Sequence, residues 1–262
     1  MKKNRILPSL VWIIGVVVVW EAAAFALVNI FHDKMAAAKL PYLHSILVTL
    51  ATHFGELMEA AGITLSKAAI GFGLGALVGI LLAIVMSLSK VAEKIAFPYL
   101  IISQMIPVLG LAPIIFNLVR DMDLSRIIIA AYITFFPVAA NMLSGLKSVE
   151  TEKKELLYSY AAKKPSIYIK LMVPFSLPYL MAGLKIAAPL SVTASILVDM
   201  LGSRGGIGVK LLYSLYGGDK EVFWASVLTC AIMGLFSYGL IIVCEKLLIP
   251  WKKDNRREAD NA

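Results

Sequence analysis

The stretch KKELLYSYAAKKPSIYIKLMVPFSLP, residues 153–178, is polar in a chain that is otherwise strongly apolar. Six lysines fall between Lys147 and Lys170, and Pro165, Pro174 and Pro178 punctuate the run. Leu156, Leu157, Tyr160 and Ala161 form an apolar stripe at helical spacing. Pro165 forbids its continuation, because the residue before a proline avoids helical angles. A second short helix is predicted from Pro165 to about Met172, with the proline at its favoured first position. Pro174 is expected to end it, and Pro178 falls in the first turn of the next apolar segment. Two short helices set at an angle describe a docking element; a plain connector needs no such shape.

The flanks explain why this segment stands out. The chain has 262 residues, of which 60% are hydrophobic and only 16% charged, with a mean hydropathy of +0.82. A soluble domain carries about 25% charge to keep its surface wetted. Scarce charge together with apolar runs beyond about 18 residues defines an all-α, polytopic membrane protein. Six transmembrane helices are predicted, near 8–30, 63–88, 95–119, 125–146, 176–202 and 222–249, each long enough for about 30 Å of hydrocarbon. The first has the basic head of a secretion signal. Its apolar run from Ile6 to Ile30 outlasts the roughly 7–15 residues of a signal core, so it reads as a retained span. Pro98, Pro107 and Pro113 require the third span to be kinked or broken. Between the first two spans, residues 43–62 place Leu47, Leu50, Phe54, Leu57, Met58 and Ala61 on one helical face, with His53, Glu56 and Glu59 polar. That predicts an amphipathic helix at an interface.

Lys/Arg counting orients the spans. With the N-terminus inside, inner segments hold 16 basic residues and outer segments eight, which places both termini and the 147–175 segment in the cytoplasm. The net charge of +8 sits at helix ends and loops, with no basic face interleaved with aromatics, so nucleic acid is not an expected partner. Cys230 and Cys244 lie about 21 Å apart on one helix, too far to bridge. His32, His44 and His53 lack metal-ligand spacing, and no catalytic motif is present. GSRGGIGVK (202–210) lacks the G-K-[ST] ending of a phosphate loop, so ATP chemistry, if used, belongs to another polypeptide.

Several stretches resemble the permease subunits of binding-protein-dependent ABC importers. The family's cytoplasmic loop reads E-A-A, three residues, G, about a dozen residues, then L-P. Anchored on Val173-Pro174, Glu155 falls on the motif glutamate, Ala161 on its glycine and Ala162 on the small residue that follows. LPYLMAGLKIA (177–187), TLSKAAIGFGLGALVGILLA (64–83) and FPVAANMLSGLKSV (136–149) resemble the family's other signatures in the same order. The likeness is greatest to the nitrate, sulfonate and taurine group, which also includes carriers of vitamin precursors. Leu156 and Leu157 replace the paired alanines. Alanine replaces glycine at 161, so a left-handed backbone is not expected there. Asp199 stands about where that group often has glutamate.

The resemblance implies a type I (MetI-like) ABC importer core in the last five spans. Residues 1–62 would form the N-terminal span and outer amphipathic segment, 63–250 the core, and 251–262 a cytoplasmic tail. It implies a non-catalytic subunit without cofactors in the bacterial plasma membrane. Its partners would be two ATP-binding subunits, a second permease and an extracytoplasmic substrate-binding protein. Glu155, Tyr160, Ala161, Ala162 and Pro165 would dock into a groove of the ATPase; Lys163 and Lys164 either meet acids there or reflect inside-positive bias. Gly71, Gly75 and Gly79, spaced by four, suit close helix packing. Asp199 either faces a cavity or partner, because a buried carboxylate is costly in lipid, or is solvated at the outer boundary. Asn141, Gln104 and Ser103 either line the path or bond helix to helix. Lys185 is expected to snorkel to the interface. The subgroup resemblance implies a small oxyanion or sulfonate as the solute, with a vitamin-like heterocycle as the alternative. An ATP-independent secondary transporter or channel is the alternative, and would show inverted repeats and midplane charges.

Overall fold

Where the sequence stays apolar for more than one bilayer thickness, the chain is helical. A computed structural model describes residues 6–32, 35, 39–202 and 204–251. Several residues used above lie outside that range: Lys2, Lys3, Arg5, Lys34, Ser203, Lys252, Lys253, Arg256 and Arg257, with all of the 251–262 tail except Trp251. Helix α1 (Ile6–Phe25) closes in a wide turn over Ala26–Ile30. Then follow α2 (Leu43–Thr52), α3 (Phe54–Leu88), α4 (Lys90–Met105), α5 (Val108–Val119), α6 (Met122–Lys147) and α7 (Thr151–Ser159). Helix α8 runs Lys164–Asp199, and α9 (Ile207–Gly217) and α10 (Lys220–Leu248) complete the order. Among the described residues, five helices are long and apolar enough to cross a membrane, and six if α4 and α5 count as one broken span. Their outward faces are apolar as well. Val11, Trp12, Leu81, Leu235 and Leu247 are all more than half exposed, which suits lipid and would be untenable in water.

Two expectations about helix limits change, and the expected break of the third span is located. The helix predicted over 43–62 is divided at His53, and its second part continues into the first core span as α3. Gly62 meets no atom within 4 Å and interrupts nothing. The 95–119 span is two helices bent by 98°. The break falls at Ile106-Pro107, where the pre-proline residue takes an extended angle, ψ 119°, as the proline ring demands. Residues 164–172 are not a separate short helix but the foot of α8. Pro174 does not end the helix, because the turn Tyr168–Met172 is widened and Val173 donates its N–H to Tyr168 O, five residues back. A widened turn absorbs the missing proline donor without breaking the rod.

Helix α6 lies at the centre, packed against α3 on one side and α8 on the other. The first seam is smooth. A side-chain carbon at Gly71 would sit 2.5 Å from Ala130 Cβ, and one at Gly79 would sit 2.6 Å from Phe135 O. At Gly75 it would meet Thr134 Cβ at 2.7 Å. The second seam is similar, with Gly183 against Pro137 O and Gly145 against the ring of Tyr179. Small residues let backbones approach where lipid supplies no hydrophobic drive between helices. Helix α10 covers α8 and α2. Helix α1 stands outermost and meets α10 edge to face, Trp20 on Trp224 at 5.7 Å.

Candidate functional site

The candidate side chains gather mainly at the two ends of the bundle. At one end, α6 stops at Lys147, which pairs with Glu93 of α4 at 2.6 Å. The chain then turns into α7, and not one residue of that helix is buried. Leu156, Tyr158 and Tyr160 are 56%, 48% and 76% exposed, so the predicted apolar stripe lies uncovered. Glu155, Lys163, Lys164 and Pro165 are exposed beside it. Ala161 N–H donates to Tyr158 O (2.9 Å) and Ala162 N–H to Leu157 O (3.1 Å). Those two bonds make a Schellman turn. They put Ala161 at φ +56°, contrary to the expectation for alanine. The turn is required because it satisfies the last carbonyls of α7 and redirects the chain into Pro165.

Alanine in a left-handed position costs about 1–2 kcal/mol. Ala161→Gly should relieve about 1 kcal/mol of that, after allowing for the greater freedom of unfolded glycine. Amide exchange at Ala162 should slow by about five-fold; faster exchange there would contradict the reading.

Behind α7 lies a groove of about 460 Å³, walled by Tyr158, Lys164, Pro165, Ile169 and Met172. At its back the Tyr168 and Ser87 hydroxyls share a hydrogen bond of 2.6 Å, tying the foot of α8 to the end of α3. The foot of α8, into which the elbow leads, is thereby fastened to the end of α3.

At the opposite end, Asp199 is not solvated at a boundary: it is 1% exposed. Its carboxylate pairs with Arg126 Nε at 2.8 Å. It accepts from the Thr64 hydroxyl at 2.5 Å and from Gly208 N–H at 3.4 Å. Thr64 Oγ1 in turn accepts Ile207 N–H at 2.9 Å. Arg126 donates to Gly205 O at 2.6 Å and pairs with Asp123 at 3.3 Å, while Lys67 reaches Asp123 at 3.1 Å. Helices α3, α6 and α8, the turn at Gly205 and the head of α9 thus meet at one network centred on the buried Arg126 and Asp199. The carboxylate also sits at the N-terminus of α9, where helix amides favour negative charge. Arg126 covers Asp199 and takes its place in the wall of a cavity of about 600 Å³, with Arg120, Asp121, Asp123 and Arg204.

Arg126 and Thr64 did not stand out as site residues in the sequence, where Arg126 counted only as an outer charge. A usable signal existed: one arginine and one aspartate, each at the same end of its span, are a natural pair in lipid. Lys185 does not snorkel but pairs with Glu245 of α10.

The remaining polar candidates are dispersed. Ser103 donates to Leu100 O at 2.7 Å, and the Tyr132 hydroxyl of α6 donates to Ser103 O. Gln104 is exposed beside the α4–α5 break. Asn141 donates to Pro137 O at 2.8 Å, within its own helix, and Gly183 packs on it. No cluster of His, Cys, Asp and Glu able to hold a metal ion occurs among the described residues.

Membrane-length helices joined through a smooth glycine seam, with a bare helical elbow at one end, define a multi-pass transport permease. The profile of the binding-protein-dependent transport system inner membrane component family matches residues 75–251. The chain belongs to that family and is a permease subunit of an ATP-driven, binding-protein-dependent importer. It is 33% identical over 190 residues to the formylaminopyrimidine transport permease protein of Halalkalibacterium halodurans, covering 72% of this chain and 76% of that one. It is 24% identical over 198 residues to a putative aliphatic sulfonates transport permease protein of Bacillus subtilis, covering 76% and 72%. A chain from the crystal structure of an amino acid ABC transporter with histidines shares the fold at TM-score 0.64. That chain is 16% identical, and the match covers 76% of this chain and 97% of that one.

Proposed function

We propose that α7 and the foot of α8 face the cytoplasm and receive a separate ATPase subunit, and that the Arg126–Asp199 end faces the extracytoplasmic binding protein. One observation carries this reading. A nine-residue helix without a buried residue keeps Leu156 and Tyr158, and Tyr160 just after it, in water unless a partner covers them. Glu155, Tyr160, Ala161, Ala162 and Pro165 form the contact, with Lys163 and Lys164 at its margin. Two permeases, two ATPases and one binding protein make the working assembly, and both termini lie in the cytoplasm. Gln104 at the broken span borders the solute path, whereas Ser103 and Asn141 serve packing. ATP binding to the partners shifts the permease between inward- and outward-open states, through the partners' unequal affinity for the two.

The solute is a pyrimidine-like vitamin precursor, supported by the relative at 33% identity over 72% of this chain. A second reading, a small anion such as a sulfonate, is favoured by Arg120 and Arg204 in the wall of the cavity next to Arg126.

Glu155→Lys tests the coupling assignment. The variant should insert normally and lose both ATPase co-purification and ATP-dependent uptake, by at least about ten-fold if one charged contact is reversed. Normal uptake would remove the assignment of this loop. Ligand screening of the purified binding protein separates the two solute readings.

A further inference from the structure

The turn residues 204–206 and α9 form the rim of the bundle at the end opposite the coupling elbow. Along α8, Tyr168 and Asp199 are about 46 Å apart at 1.5 Å per residue. With the ATPase at the elbow, as proposed above, the binding protein arrives at this rim. The rim has no core of its own. Gly202 and Gly206 take φ +118° and +121°, and a side-chain carbon at Gly206 would run into the Asp199 carboxylate. The turn is seated through Gly205 O on Arg126, and the head of α9 through Ile207 N–H on Thr64 and Gly208 N–H on Asp199. Beyond those anchors α9 turns Tyr213 and Tyr216 outward, 75% and 81% exposed, beside the exposed Arg204.

We propose that Thr64, Arg126 and Asp199 are positioning residues for the receptor-facing rim: they hold residues 204–208 in the conformation on which the loaded binding protein lands productively. In this role they act through the turn they seat. A buried network of ion pairs and hydrogen bonds suits this work, because each alternative rim conformation must break it. The inference rests on the importer reading and on the orientation proposed for it.

The test uses the assembled permease and ATPase in proteoliposomes, titrated with the solute-loaded binding protein while ATP hydrolysis is followed. Thr64→Val keeps the shape of the side chain and removes the hydroxyl that links Asp199 to Ile207. It should raise the half-saturating binding-protein concentration about ten-fold, the worth of one to two lost hydrogen bonds. Basal hydrolysis and the yield of assembled complex should be unchanged, and Thr64→Ser should restore the original value. Gly206→Ala, which crowds the carboxylate from the rim side, should act in the same direction and serves if Thr64→Val does not assemble. A parallel fall of basal and stimulated hydrolysis in the variants would mean a purely structural network, and an unchanged titration would mean that the rim needs no such seat; either overturns the inference. Absence of any binding-protein response in the unaltered assembly would overturn the importer orientation itself, and this inference with it.

Discussion

Replacing Gly75 with leucine is expected to cost the bundle about 3 kcal/mol or more, the upper range for overpacking a closed contact. Its first side-chain carbon would already lie 2.7 Å from Thr134 Cβ and closer still to the Ala131 carbonyl. A backbone carbonyl on a central helix cannot swing aside as a side-chain tip does, so α3 and α6 would have to separate along their whole seam. The separation would also disturb Gly71 and Gly79, one turn away on either side. The measurement is the unfolding temperature and monodisperse yield in detergent. Gly73 supplies the control, since nothing lies within 4 Å of it. Gly73→Ala should be neutral or gain up to about 1 kcal/mol from helix propensity. Equal losses at 73 and 75 would refute the seam.

Arg126→Ala should be comparably severe, about 3–5 kcal/mol, because it strands a buried carboxylate. The arginine is 2% exposed and Asp199 1%, so water reaches neither readily. Exchanging both partners for uncharged residues, Arg126→Met with Asp199→Asn, should cost less than the sum of the single changes, since each single variant leaves one charge unpaired. Denaturation of the four proteins in one detergent gives the coupling. Additive losses would mean that the pair contributes no more than its separate packing.

These two sites were not equally legible. The glycine seam could be read from a four-residue period, because a helix converts that period into a stripe. The break at Pro107 was visible for the same local reason, since one ring fixes the angle of its neighbour. The bare elbow was legible as a polar island with an apolar stripe. The Arg126–Asp199 pair was hidden by distance along the chain: nothing local marks residues 64, 126, 199 and 207 as neighbours until α3, α6 and α8 are packed. Lys185 and Glu245 escaped for the same reason, and a solitary lysine near a boundary has an adequate explanation without a partner. Ala161 misled in another way. Its side chain disfavours the left-handed region, yet two backbone hydrogen bonds and the following proline outweigh roughly 1–2 kcal/mol of local preference. The helix is divided at His53 where hydrophobic spacing alone would have carried it through, and helical periodicity carries no information about such a stop.

The widened turn at Tyr168–Met172 sets the azimuth of everything below it. A turn of this kind holds one spare residue relative to an ordinary α-helical one. Were it to tighten without losing that residue, the foot of α8 would screw about 100° around the shaft and shift about 1.5 Å along it. Leu156 and Tyr160 would then point to a different quadrant, with Gly183 and Pro137 still in register above. The compass bearing of the elbow is thus stored in a single loop of backbone, separate from the packing that holds the bundle together.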